Sequence, residues 1–485
     1  MATRFFARLS GVGGGLLVAC SLPPLNLWPL GILGFALLAW AIREKSRLER
    51  FVIGYLFSIA WLLPSFWWVF SFNWYGAVVL ILIEALFLSC AVAFVSGRST
   101  LLFSLGGTVV LAEWLREMWP FGGLPLGDPA LGQASGPLLV LARLGGPLFL
   151  AMVEVTLGVC LAWFVSNAEL RRRGVVVTSA LIALCALSSF LPDGGPPTRR
   201  VSVAAVQVGG KRGETHVAVK RAPGSVFSTQ IRFSAGIKFS TTHLRRLIVW
   251  PEDGIALGST FRTSFDAEEI AQLARHDKAS VAVGYTQLLS GKRFKNAVAG
   301  FSPRGRYLGS VEKVHRVPFG EYIPYRGFFS HLATVKGVPF DLIPASNDGV
   351  LETPAGPLGI MVCYEVFYSD RGQQSVAHGA QILFVATNTS SYATSQVPSN
   401  EVAADRLDAA SFGRDVIQVA ETGYSEFVTP GGNVVSQSTL SKRQVIYDTV
   451  SLRKGRTLYS ETGDLPVLGV AMFLVLFAVF RRRYS

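Results

Sequence analysis

Apolar residues run with little interruption over eight stretches of the chain, at about 7–22, 27–42, 51–70, 76–97, 100–118, 137–166, 174–191 and 465–480. A helix of roughly 20 apolar residues crosses the hydrocarbon core of a bilayer while satisfying its own backbone hydrogen bonds. The pattern therefore predicts a membrane domain over 1–192 with about seven transmembrane helices, and a C-terminal transmembrane helix over 465–480. The second stretch is short for a span and the sixth is long. Between the seventh and eighth stretches the pattern changes. Short β-rich runs at 201–208, 247–250, 280–285, 296–301, 358–362, 382–386 and 416–420 alternate with polar segments of helical length. Such alternation predicts an α/β domain with a sandwiched sheet over 198–458, joined to the oily part by the Pro/Gly-rich linker at 192–197.

Composition narrows the class. The 485 residues are 50% hydrophobic and 16% charged, with a mean hydropathy of +0.40, too oily for three ordinary soluble domains. The 49 glycines and 24 prolines are near average usage, which excludes a collagen-like or disordered chain. A net charge of +13 would suit nucleic acid only if it were clustered on a soluble face. Here much of it flanks the oily runs, so no nucleic-acid partner is expected and the bilayer is the first partner.

The same basic residues orient the spans, because short cytoplasmic loops retain Lys and Arg. Arg43, Lys45, Arg47 and Arg50 follow the second stretch, Arg98 the fourth, Arg171 to Arg173 the sixth and Arg481 to Arg483 the eighth. The loops at 72–75 and 121–131 carry neither Lys nor Arg. Both termini are thus expected in the cytoplasm, with residues of about 195–460 on the outer face of the membrane. Arg4 and Arg8 ahead of Leu17-Val18-Ala19-Cys20 also mimic a lipoprotein signal peptide. Oily sequence resuming at Leu27 favours a membrane hairpin instead.

Of five cysteines, Cys20, Cys90, Cys160 and Cys185 lie in apolar stretches as small hydrophobes, and Cys363 alone lies in the polar half. No C-x-x-C pair and no Cys/His cluster at zinc spacing occurs, so neither a metal, a cofactor nor a disulfide framework is expected. Three β-rich runs end in a reactive residue: 247–250 leads through Pro251 to Glu252, 306–311 to Lys313, and 358–362 straight to Cys363. Singly, these read as an exposed loop acid, a solvated lysine and a small core residue. Together they make a chemical set at the strand ends where α/β folds present reactive groups. A cysteine nucleophile needs its thiolate, glutamate can take the proton, and lysine can favour the thiolate and stabilise an oxyanion. His315, two residues past Lys313, is the alternative base, since on an extended strand both would point to one face. There is no G-x-S-x-G serine elbow.

Trp250-Pro251-Glu252, Glu312-Lys313 with Pro318-Phe319-Gly320-Glu321-Tyr322-Ile323-Pro324, and Val362-Cys363-Tyr364-Glu365 resemble the Glu-Lys-Cys signature of the nitrilase, or carbon-nitrogen hydrolase, superfamily. With oily stretches on both sides, the chain resembles the apolipoprotein N-acyltransferase family over nearly its whole length. Pro23-Pro24-Leu25-Asn26-Leu27-Trp28-Pro29-Leu30 is similar to that family's first membrane hairpin. Glu113-Trp114-Leu115-Arg116 with Gly123-Leu124-Pro125 is similar to its fifth span, and Tyr459 with Gly463-Asp464-Leu465-Pro466 to the return into its last.

The resemblance implies a multi-pass α-helical membrane domain carrying a nitrilase-like αββα sandwich, and a two-step reaction. Cys363 would attack an acyl ester of a phospholipid donor, Glu252 would take its proton and Lys313 would stabilise the oxyanion. The resulting thioester would acylate the amine of a lipoprotein or other acceptor. Glu321 would orient Lys313 or Glu252, Tyr364 and Glu365 would shape the site, and Asn388 and Tyr392 would line it. One departure stands out. After 382–386 the family usually has an Asn-Asp segment and an aromatic pair, where this chain reads Asn388-Thr389-Ser390-Ser391-Tyr392-Ala393-Thr394-Ser395, although Arg406 and Arg414 do resemble the polar helix that follows. The acceptor is therefore open. A membrane-tethered nitrilase-type amidase releasing acid to water, or a divergent relative of the kind encoded with conjugal-transfer systems and acting on another acceptor, would share the same three residues.

Overall fold

Ser46, Asn73 and Asn167 start three of the apolar helices by accepting from the backbone N–H of Glu49, Gly76 and Leu170, which supplies partners for otherwise orphaned N–H groups. The computed structural model describes residues 2–95, 101–209, 223–239, 243–329, 331 and 337–483, and Arg98 lies outside them. The chain divides into two units, Met1–Leu191 with Thr462–Ser485, and Pro192–Glu461.

The first unit holds the long helices Ala2–Ser21, Pro29–Ile42, Arg47–Ser65, Trp74–Phe94, Leu101–Met118, Ala142–Phe164, Ala168–Ser188 and Leu465–Arg483. Among the described residues, three helical segments are long and apolar enough to cross a membrane: Arg47–Ser65, Trp74–Phe94 and Pro137–Phe164. Pro29–Ile42 and Leu465–Phe480 are shorter apolar helices. The stretch expected at 137–166 is jointed. A 3₁₀ turn at Pro137–Leu141 runs into the helix from Ala142, where Gly145 and Gly146 leave helical geometry ahead of Pro147. Gly146 has φ +66°, a conformation open to a residue without Cβ. The stretch expected from 174 starts earlier, at Ala168, because Glu169 and Arg171 to Arg173 are good helix formers although polar. The buried Arg116 is fully committed: it donates to Glu113 Oε2 at 2.6 Å and to the carbonyls of Leu124 and Leu126 at 2.7 and 2.8 Å, with Glu84 at 3.6 Å.

Among the described residues, the second unit contains fourteen strands: β1 Arg199–Gln207, β2 Arg245–Val249, β3 Ile255–Leu257, β4 Ser280–Leu289, β5 Arg293–Phe301, β6 Tyr307–Glu312, β7 Asp341–Leu342, β8 Val350–Leu351, β9 Leu358–Val362, β10 Ile382–Thr387, β11 Val416–Ala420, β12 Glu426–Val428, β13 Val434–Gln437 and β14 Gln444–Leu452. One sheet has the order β14-β1-β2-β4-β5-β6, with β3 beside β4 and β7 beside β5; the other runs β13-β12-β11-β10-β9-β8. Strand alternation sorts the side chains. Val201, Val203, Ala205, Leu247 and Val249 meet Leu358, Ile360, Val362, Phe384 and Ile417 between the sheets, while Val206, Ile248 and Trp250 face Ile270, Leu273 and Ala274 of the helix Phe265–Asp277. Ser369–Ala377 packs against β9 and Val397–Phe412 against β11 and β12. The layers are thus helix, sheet, sheet, helix.

Candidate active site

Pro251 has no N–H, so the ladder bond from Trp250 N to the Ala282 carbonyl, at 2.9 Å, is the last before the chain turns out of β2. Asp253 completes the turn at φ +56°. Opposite, Gly284 of β4 is a required gap: a Cβ there would lie 2.2 Å from the Pro251 carbonyl oxygen and 2.7 Å from Glu252 Cα. The gap lets Glu252 lie against the sheet. Its buried carboxylate accepts from Asn296 Nδ2 at 2.6 Å and from Lys313 Nζ at 3.3 Å.

Lys313 follows β6 directly and is held from both ends. Its N–H donates to the Asn296 carbonyl at 2.9 Å, and its buried ammonium also donates to Glu321 Oε1 at 2.6 Å. The other oxygen of Glu321 accepts from Val317 N at 2.8 Å, which closes the turn that brings this carboxylate back. Burial works to lower the ammonium's pKa, but the charges of Glu252 and Glu321 outweigh it and hold Lys313 well above its ordinary value. It is a permanent cation clamped by two acids.

Cys363 begins a single 3₁₀ turn, Cys363–Phe367, at the end of β9, and its φ of +53° is left-handed. For a residue with a Cβ this costs of order 1–3 kcal/mol and persists only where the surroundings hold it. Glu365 does the holding. One of its oxygens accepts from Val362 N at 2.8 Å, and the other from Val314 N and His315 N at 2.7 and 3.2 Å, with Arg371 Nε at 3.7 Å. A single buried carboxylate thereby ties the cysteine turn to the segment just past Lys313. Burial first, then the charge of Glu252, pushes the Cys363 thiol well above its ordinary pKa, against the pull of Lys313. The sulfur rests as a thiol, and an attack by it would need a base.

The structure brings Glu252, Lys313, Glu321 and Cys363 within electrostatic reach of one another. Tyr364 is buried and packs edge-on to Tyr368 at 5.1 Å. Tyr392 is half-buried in the one-turn helix Ser390–Tyr392, and its phenol is pushed well up, first by burial and then by Cys363, Glu401 and Glu252. Asn388 is occupied locally: its Oδ1 accepts from Ser390 N at 3.0 Å and from Ser390 Oγ at 2.6 Å, and its Nδ2 donates to Asp253 Oδ2 at 3.3 Å. His315 is not placed as expected. Because β6 ends at Glu312, Lys313 and His315 do not share a strand face; the imidazole stacks on Tyr368 at 4.0 Å and pairs with Asp370 at 3.1 Å.

Two family models match the chain, the apolipoprotein N-acyltransferase N-terminal domain over residues 14–160 and carbon-nitrogen hydrolase over 244–458. Proteins called apolipoprotein N-acyltransferase align almost end to end. That of Mycolicibacterium smegmatis is 26% identical over 96% of this chain and 84% of its own length, and that of Photobacterium profundum 24% identical over 98% and 95%. The chain is similar to apolipoprotein N-acyltransferases over nearly its whole length. A solved carbon-nitrogen hydrolase from Helicobacter pylori is also similar, at 15% identity and a TM-score of 0.38 over 55% of this chain and 94% of that one.

Three groups of the site escape a reading of the sequence. Asn296 fixes Glu252 but looks like any strand residue. Thr387 closes β10, acts to lower the pKa of the Cys363 thiol and donates to Glu401 Oε1 at 2.6 Å. Glu401 stands with Asp405 and Asp408 at i, i+4 and i+7 on one face of Val397–Phe412, and all three are buried. That spacing was the available signal, but an acidic stripe on a helix ordinarily reads as a solvated face.

Proposed function

We infer that the chain is a membrane N-acyltransferase that carries a fatty acyl chain from a phospholipid, through a thioester on Cys363, to the N-terminal amine of a lipoprotein. The observation that carries the reading is the lysine clamped by Glu252 and Glu321 beside a cysteine held at a left-handed turn, in a chain that aligns nearly end to end with apolipoprotein N-acyltransferases.

In the first half-reaction Glu252 takes the thiol proton, Cys363 sulfur attacks the ester carbonyl, and Lys313 faces the oxyanion. As the tetrahedral intermediate collapses, the proton passes from Glu252 to the departing lysophospholipid oxygen. In the second, the acceptor amine attacks the thioester carbonyl and gives a proton to Glu252. The Cys363 thiolate then leaves and regains that proton. Phospholipid and amine become lysophospholipid and amide, a balance that needs no cofactor. Glu321 positions Lys313, and Glu365 and Tyr364 hold the cysteine turn. Asn388 and Tyr392 line the acceptor side, so Tyr392→Ala slows discharge of the thioester more than its formation.

Incubation with phospholipid vesicles should raise the mass of the Cys363 peptide by one acyl chain, and adding a diacylglyceryl-cysteine peptide should move that chain to its amine. Fatty acid released to water, with the peptide unmodified, would make the protein a hydrolase and overturn the reading.

The domain division follows the same reading: a membrane domain at 1–192, a catalytic domain at 198–458 outside the cytoplasm, and a last span at 465–480. Apolar helices on both sides of the catalytic segment support a lipid donor, and the basic residues after alternate helices support cytoplasmic termini. A reporter inserted at Lys442 should read as external; a cytoplasmic signal there would sink this topology.

A further inference from the structure

Behind the cysteine lies a carboxyl group that the acyl-transfer steps above do not use. Thr387 is one residue past Ala386, which pairs with Val362, so it lies beside the turn that carries Cys363. Its hydroxyl acts on the Cys363 thiol and lies 2.6 Å from Glu401 Oε1. A hydroxyl has one proton to give. An ionised Glu401 can only accept, and draws that proton away from the sulfur. A protonated Glu401 donates to Thr387 Oγ1 instead, and frees the hydroxyl to donate to the sulfur.

The surroundings favour the protonated acid. Glu401 is buried, and its Oε2 has no hydrogen-bond partner among the described residues. A bare carboxylate oxygen in an interior is far costlier than the carbonyl-type oxygen of a neutral acid. Glu252 past β2, Glu426 on β12, Asp405 one turn along the same helix, the Tyr392 phenol and the Cys363 thiol all add negative charge nearby when ionised, and Lys313 opposes them. Burial first, then Glu252 and Glu426, push the Glu401 carboxyl up to about 8 against the Thr387 hydrogen bond.

We propose that Glu401 is a positioning residue which, as a neutral acid, turns the Thr387 hydroxyl toward Cys363 and so sets how much thiolate is available for acylation. The inference rests on Cys363 as the nucleophile of the proposed function, but its test reads the sulfur itself and requires no acyl transfer.

The full chain in detergent is treated with iodoacetamide between about pH 6 and pH 10, and modification of the Cys363 peptide is followed by mass spectrometry. Above a pH of about 8 the wild-type rate should fall at least about tenfold behind that of Glu401→Gln, since a hydrogen bond to a charged group is worth that much or more. The amide retains a donor at every pH, so Glu401→Gln should match wild type below this point and show no break. Thr387→Val should lose about tenfold below the break. A wild-type profile without a break, a break that persists in Glu401→Gln, or a Thr387→Val protein as reactive as wild type at low pH would each overturn the proposal. The predicted profiles without any acyl transfer from phospholipid would sink the proposed function and leave this inference standing.

Discussion

Cys363→Ala should leave a folded protein that takes up no acyl chain and transfers none. Cys363 is the sole cysteine between Pro192 and Glu461, so no second thiol in that unit can take its place. Alanine keeps a Cβ at the left-handed position, and the hydrogen bonds that hold the turn come from Glu365, not from the sulfur. The substitution therefore removes the proposed nucleophile and little else, and the loss reads chemistry instead of folding. The measurement is the acyl adduct on the 363 peptide together with N-acylation of a diacylglyceryl-cysteine peptide, each compared with wild type. Transfer that survives in Cys363→Ala would place the nucleophile elsewhere and dissolve the role assigned to Glu252 with it.

The parts of the molecule that sequence reveals are those set by local pattern. Oily runs mark the helices, yet hydropathy sums over a window and cannot see that Gly145-Gly146-Pro147 interrupts one of them, nor that Asn167 and Glu169 begin another in polar sequence. β10 and β11 are buried at every position and read clearly. β7 and β8 have two residues each, and the edge strand β14 is largely half-exposed, so they give little contrast. Glu252, Lys313 and Cys363 can be singled out because each follows a strand. What escapes is what depends on distant segments meeting. Glu365 looks like the acid of a helix start, whereas it accepts backbone N–H groups from two separate strand ends. Lys313 and His315 look like partners two residues apart, but the strand that would have aligned them stops at Glu312.

Lys313→Met should lower acyl loading of Cys363 by at least about 1,000-fold, more than the loss of one oxyanion donor explains. Removing such a donor costs about 100- to 1,000-fold. Here the same ammonium also neutralises Glu252 and Glu321, to which it donates at 3.3 and 2.6 Å. Without it two buried carboxylates repel each other with no ammonium between them, which disfavours the ionised Glu252 that would take the thiol proton. A protonated Glu252 accepts no thiol proton, so the base is lost along with the oxyanion donor. The sign of the pH dependence follows. The residual loading of Lys313→Met should rise with pH, as Glu252 regains its ionised form. Glu252→Gln has no carboxyl to recover there, and should remain low at all pH, by about 100- to 10,000-fold for loss of a general base. Because the two substitutions disable one unit, the double variant should be little worse than Lys313→Met alone. Single-turnover loading from labelled phospholipid, with a thermal melt of each variant to confirm that it is folded, measures all three. Fully multiplicative losses in the double variant would show that Lys313 and Glu252 act independently, contrary to the clamp seen in the structure.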